Sequence, residues 1–170
     1  MKTIKCSPFD YGYKRDRLNV IYIVIHYTAV DGDTAEGEGK YFSRPHSPKS
    51  SAHFFIGQDG HVIKSVALDH VAYSVGGEKW SDCVRTGGGS LYGHCTNANS
   101  VSIELCDNLH KDPSEAQIRA VKDTIKYIRQ YCPNAETVIR HFDVTGKHCP
   151  ARMMSSTKWK EFKKAIGENK

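Results

Sequence analysis

The stretch "NVIYIVIHY", residues 19–27, decides the fold. After Asn19 it is β-branched or aromatic at almost every position, and it is too short for a buried helix. It therefore predicts a central strand ending at His26. Downstream, "SAHFFIGQDGHVIKSV" (51–66) places two apolar stretches about a Gly-Gln-Asp-Gly turn and predicts a hairpin. In "NSVSIELC" (99–106), Ser102 and Glu104 alternate with Val101, Ile103 and Leu105, which predicts another strand. "SEAQIRAVKDTIKYIRQYC" (114–132) is the strongest helix. Ile118, Val121, Ile125 and Ile128 form its apolar stripe, and Ser114 with Gln117 forms a capping box.

Shorter elements complete the pattern. "ETVIRH" (136–141) predicts a buried strand, and residues 156–166 a last helix carrying Trp159, Phe162 and Ile166. "TAEGEGKYFSR" (34–44) is a weaker helix, interrupted by two glycines. Residues 76–99 are glycine-rich and irregular, which in a compact domain marks a functional surface loop. The expectation is an α/β fold in one domain over residues 1–170.

Composition narrows the function classes. The chain has 170 residues, 39% hydrophobic and 25% charged, and no apolar run approaches the ~20 residues of a membrane span. Its first residues, "MKTIKCSPFDYGYKRDRL", lack the apolar core of a secretory signal, so a cytoplasmic product as synthesised is expected. In that setting the six cysteines are expected to be reduced and available to a metal, and nothing in the spacing says whether Cys83 and Cys95 pair. The net charge of +5 is scattered rather than gathered into runs, apart from the tail "KWKEFKK", so no nucleic-acid partner is expected.

The chemistry concentrates in "VIRHFDVTGKHCPA", residues 138–151. His26 ends one predicted strand, His141 ends another, and Cys149 follows in a loop able to curl back toward both. Two imidazoles and a thiolate suit zinc, and three protein ligands rather than four leave a position open for water, as in catalytic sites. The paired Cys-x-x-Cys spacing of structural zinc sites is absent. The alternative is two core histidines and a buried cysteine, and the residue types alone leave both open.

In this order, "IVIHYTA", "SAHFFIGQDGHV", "NANSVSIEL" and "RHFDVTGKHCP" resemble the zinc N-acetylmuramoyl-L-alanine amidases of the type 2 amidase and peptidoglycan-recognition family. The resemblance spans about residues 18–152. It implies a central mixed β-sheet flanked by α-helices with a zinc-bearing groove on one face, His26, His141 and Cys149 as ligands, and no organic cofactor. Some relatives carry a catalytic tyrosine where this chain has Ala52, so the resemblance points to Glu104 as the proton-transfer residue and to Lys147 as the group that stabilises developing negative charge. His53, Tyr73 and Trp80 are candidate groove residues.

The activity implied is hydrolysis of the amide between N-acetylmuramic acid and L-alanine of peptidoglycan, as in a phage or prophage endolysin. A holin would then act upstream, the enzyme would reach the wall after release, and no membrane insertion or separate wall-binding domain is expected. A cytosolic muropeptide-recycling amidase and a non-catalytic muropeptide-binding recognition protein are the alternatives.

Overall fold

A computed structural model describes residues 1–168. The elements follow as β1 (Lys2–Thr3), β2 (Tyr11–Lys14), β3 (Tyr22–Tyr27), α1 (Ala35–Phe42), β4 (Phe54–Ile56), β5 (Val62–Lys64) and β6 (His70–Ala72). Then come α2 (Cys83–Thr86), β7 (Ser100–Leu105), α3 (Glu115–Tyr131), β8 (Thr137–Arg140), α4 (His141–Thr145) and α5 (Ser156–Ile166). Six strands make one mixed sheet in the order β1-β5-β4-β7-β3-β8, so β3 lies inside it as its composition predicts. It pairs in parallel with both β7 and β8, while β4 and β5 form the antiparallel hairpin.

Side-chain alternation gives the sheet two different faces. Ile23, Ile25, Phe54, Ile56, Val101, Ile103 and Leu105 point to one side, where Val121, Ile125 and Ile128 of α3 and Trp159, Phe162 and Ile166 of α5 cover them. Each such side chain, taken fully out of water, contributes about 1.5–3 kcal/mol. Gln117 of α3 is also fully buried, and its amide donates to the carbonyls of Ile56 (2.8 Å) and Cys106 (3.1 Å). It thereby caps the ends of β4 and β7. That task removes it from the expected capping box. Ser114 still accepts from the Gln117 N–H, but the Ser114 N–H donates to the Gln58 side chain instead.

The opposite face is divided. Val24 and Ile139 pack with Val75, Cys95 and Val144 at one end, and Ala52, Phe55, Ile63 and Cys106 pack with Ala35 of α1 at the other. Helix α1 forms despite its glycines, and Gly39 has a reason: a Cβ there would lie 2.8 Å from Ile63 Cγ2, so the missing side chain lets α1 settle on β5. Between the two apolar patches the same face carries His26, Ser102 and Glu104.

Three further features depart from expectation. His141 does not end a strand but opens α4, because the Asp143 carboxylate accepts the Arg140 N–H at 2.8 Å and turns the chain into a short helix. β2 and β6 make a separate two-stranded antiparallel sheet that has no counterpart in the predicted elements. The glycine-rich loop contains α2, with Val84 wholly exposed on it. All six cysteines are buried and unbridged; the Cys83 thiol faces the Thr145 carbonyl at 3.6 Å. Among the described residues no helix is long and apolar enough to cross a membrane.

Candidate active site

Parallel pairing of β3 with β7 sets His26 directly beside Glu104, and pairing of β3 with β8 carries the chain to His141 just past the shared edge. The loop after α4 then returns Cys149, whose carbonyl accepts the Phe142 N–H at 2.9 Å. The imidazole rings of His26 and His141 stand 4.6 Å apart, and Cys149 Sγ lies 3.8 Å from His26 Nδ1. One ligand atom from each of the three can be chosen so that all lie within 4.8 Å of one another. All three side chains are almost completely buried.

The donor chemistry fits a cation. His26 Nε2 and both ring nitrogens of His141 are buried without a hydrogen-bond partner, which an ordinary core does not tolerate. Burial first, and then the neighbouring His141 and Lys147, hold His26 well below the usual imidazole range. Burial and Lys147 bring His141 down to about 4. Both rings are therefore neutral near pH 7 and have lone pairs to offer. Burial, reinforced by Glu104, pushes the Cys149 thiol up, so it keeps its proton until a cation displaces it. The geometry thus brings together a two-nitrogen, one-sulfur set of the kind that divalent zinc accepts.

Glu104 and Lys147 border this set. A cavity of about 160 Å³ is lined by both, by the three ligand candidates and by Phe42, Ala52, Tyr73 and Ser74. Glu104 Oε1 is 3.8 Å from His26 Nδ1. Burial raises its carboxyl to about 8; Lys147 pulls it down, while Glu38 and Asp33 push it up. Neither Glu38 nor Asp33 was a candidate from the motifs, since only the packing of α1 and its preceding loop brings them near β7. Lys147 itself is exposed at the rim. It follows Gly146, whose φ of +85° brings the backbone so close to α2 that a Cβ would lie 2.3 Å from Cys83 Sγ.

The groove candidates separate. Tyr73 lines the cavity. Trp80 does not; its ring lies tilted against His148, with centroids 5.3 Å apart, outside the cavity lining. His53 is not a wall residue at all. It is fully buried, with Nδ1 accepting the Ser102 N–H (3.1 Å) and Nε2 lying 3.1 Å from the His70 carbonyl and 3.0 Å from Arg15 Nη2. Arg15 also donates to the carbonyls of Asn97, Ala98 and Ser100, so this pair ties β2, β6 and β7 together beneath the groove.

Comparison with known proteins places the chain among sequences and folds of one kind. Among curated sequences, the N-acetylmuramoyl-L-alanine amidase BlyA of Bacillus subtilis (strain 168) is 30% identical over 151 residues, 84% of this chain and 40% of BlyA. The amidase CwlA of the same strain is 29% identical over 165 residues, 94% of this chain and 54% of CwlA. The chain thus spans about half or less of the length of these relatives. The structure of PlyL superposes with a TM-score of 0.75 at 19% identity, covering 100% of this chain and 98% of PlyL, which shows a shared fold. The catalytic domain of XlyA does so with a TM-score of 0.70 at 21% identity, covering 98% of each. The N-acetylmuramoyl-L-alanine amidase family matches residues 16–152, a span that takes in β3, the hairpin, β7, β8 and the Cys149 loop, and the chain belongs to that family.

Proposed function

We propose that the chain is the catalytic unit of a zinc-dependent amidase that cuts the amide between the lactyl group of N-acetylmuramic acid and L-alanine in peptidoglycan. The observation that carries this reading is the convergence of three buried ligand side chains, with three imidazole nitrogens left without a hydrogen-bond partner, beside Glu104 in one cavity. Family membership and the shared name of BlyA and CwlA support the choice of bond.

His26, His141 and Cys149 would hold the metal. Zinc bound there supplies a Lewis acid and lowers the pKa of a water in its open position toward about 7. Glu104 takes the proton of the attacking water and returns it to the departing amine of L-alanine. Its buried carboxyl holds a proton well, and a cation beside His26 draws it back toward the ionised form that accepts one. Lys147 offers its ammonium to the oxyanion that develops on the lactyl carbonyl. Tyr73 and Ser74 line the approach, and Trp80 against His148 extends the rim toward glycan or peptide.

An endolysin role, with a holin opening the route to the wall, accords with the fold neighbours, one of which is described as a mutant endolysin from Bacillus subtilis. The test is mass spectrometry of purified peptidoglycan digested by the zinc-loaded chain. New L-alanine amino termini with uncut glycan strands are expected. New reducing sugar ends without free alanine amines would overturn the bond assignment, and binding without any cleavage would leave a recognition protein.

A further inference from the structure

Phe42, one wall of the catalytic cavity, has a second concavity behind it. Its ring packs on Cys6, Val66 and Ala72, and Cys6 and Val66 line a hollow of about 670 Å³, within the range of small-molecule sites. No Asp or Glu is among its lining residues.

Hydrogen-bond donors gather there with protons unspent. Ser65 is only 5% exposed, and its Oγ has no partner in the fold, whereas buried hydroxyls in native interiors usually have one. The Ser7 hydroxyl accepts the Phe9 N–H at 3.3 Å, so its own proton remains to give. The Tyr11 phenol and the Lys5 ammonium have neither a hydrogen bond nor an ion pair among the described residues. Tyr11 is fixed edge-on against His70, with ring centroids 5.4 Å apart, which leaves a flat apolar surface beside these donors.

The nearby charges set what can bind. Burial and the neighbouring Asp10 raise the Cys6 thiol to about 11, so Cys6 adds no negative charge near neutral pH. Asp10 is itself fully buried, with both oxygens turned to the His46 N–H (3.2 and 3.1 Å). Its charge opposes an anion, so Lys5 must supply the attraction.

We propose that this concavity binds an oxyanion carried on a sugar-sized body, the anion held by Lys5 with the Ser7 and Ser65 hydroxyls and the ring lying against Tyr11. A phosphate or a carboxylate meets the same donors. The site is separate from the metal centre and does not depend on the hydrolase reading.

The test titrates the ¹⁵N-labelled full chain with glucose 1-phosphate, with glucuronate and with neutral glucose, following the amide signals of Cys6, Ser7, Ser65 and Val66. Saturable shifts with one or both charged compounds, and none with glucose, are expected; which compound acts distinguishes a phosphoryl from a carboxylate source. Lys5 is exposed, so Lys5→Glu leaves the fold intact and should weaken binding at least about tenfold, the size of one lost charge-assisted hydrogen bond. Ser65→Val, which removes a hydroxyl that has no partner in the fold, should weaken it as well. Silence from both charged compounds, an equal response to glucose, or unchanged affinity in Lys5→Glu would overturn the proposal.

Discussion

Acid should destabilise the metal-free protein through His53, and the size of the effect follows from its surroundings. Burial first, and the charge of Arg15 second, lower its pKa from 6.5 to about 3, against a smaller opposing pull from the His70 carbonyl. The unfolded chain therefore takes up a proton below pH 6.5 that the folded chain refuses until about pH 3. In that window the unfolded state binds more protons, so the stabilisation present above pH 6.5 is lost as pH falls, by ~1.4 kcal/mol per pH unit once well below 6.5. Between pH 6 and pH 4 this amounts to about 2.5 kcal/mol. His141, lowered to about 4, adds a second loss over the same range. Urea denaturation with a chelator present, at pH 6 and pH 4, should show wild type losing about 2.5 kcal/mol more than His53→Gln, whatever the variant's stability at pH 6. Equal losses in the two proteins would mean that His53 takes up its proton in the folded state, and the buried Arg15–His53–Ser102 arrangement would not be what excludes it.

Other consequences are open to direct measurement. The purified chain should hold about one zinc ion. Elemental analysis showing stoichiometric zinc in a His141→Ala, Cys149→Ala double variant would refute the ligand set. Zinc binding at pH 7 should release at least one proton, because the buried Cys149 thiol is protonated without metal, and calorimetry in two buffers of different ionisation enthalpy reads the number directly. Glu104→Gln should keep zinc while hydrolysis of a soluble muropeptide falls on the order of 10² to 10⁴-fold; a near wild-type rate with zinc in place would remove Glu104 as the base. Lys147→Ala should also keep zinc and lose ~10² to 10³-fold, and metal loss instead would assign it to holding the site together. Gly146→Ala should lower the denaturation midpoint, at a cost of about 1–3 kcal/mol for the left-handed backbone plus the clash with Cys83, and an unchanged midpoint would contradict that close approach.

The parts of the fold visible in the sequence are those whose side chains do one thing. β3, β7 and α3 bury a continuous run, an alternating set and a helical stripe, so periodicity alone finds them. β2 and β6 escape because they are short and lie under Arg15, whose hydrogen bonds come from residues far apart in the chain. α4 escapes for a related reason. Its five residues would not hold a helix alone, and what turns the chain is Asp143 pairing with Arg140 at 2.7 Å while Arg140 also donates to the Met153 and Met154 carbonyls. Those long-range bonds leave no periodic trace.

The same distinction explains the site. The metal-ligand candidates lie near the end of β3, at the start of α4 just past β8 and in a loop, each flagged by its own chemistry, and parallel pairing brings the first two together. Adjacent parallel strands in register place equivalent positions side by side, so one histidine at the end of β3 implies that a residue of β7 stands next to it, and that residue is Glu104. His53 misleads because it sits at a bend before β4, where strand alternation does not apply and the fold needs a neutral ring beside a cation. The environment of Glu104 is the least legible element. Its carboxyl is tuned by Lys147 from one side and by Asp33 and Glu38 from the other, and those three share no motif or spacing. Their joint effect arises only when the loop before α1, the helix itself and the turn after α4 close around β7. Donor identity in this protein can therefore be read along the chain, whereas the proton affinity of the residue proposed to use those donors belongs to the packed assembly.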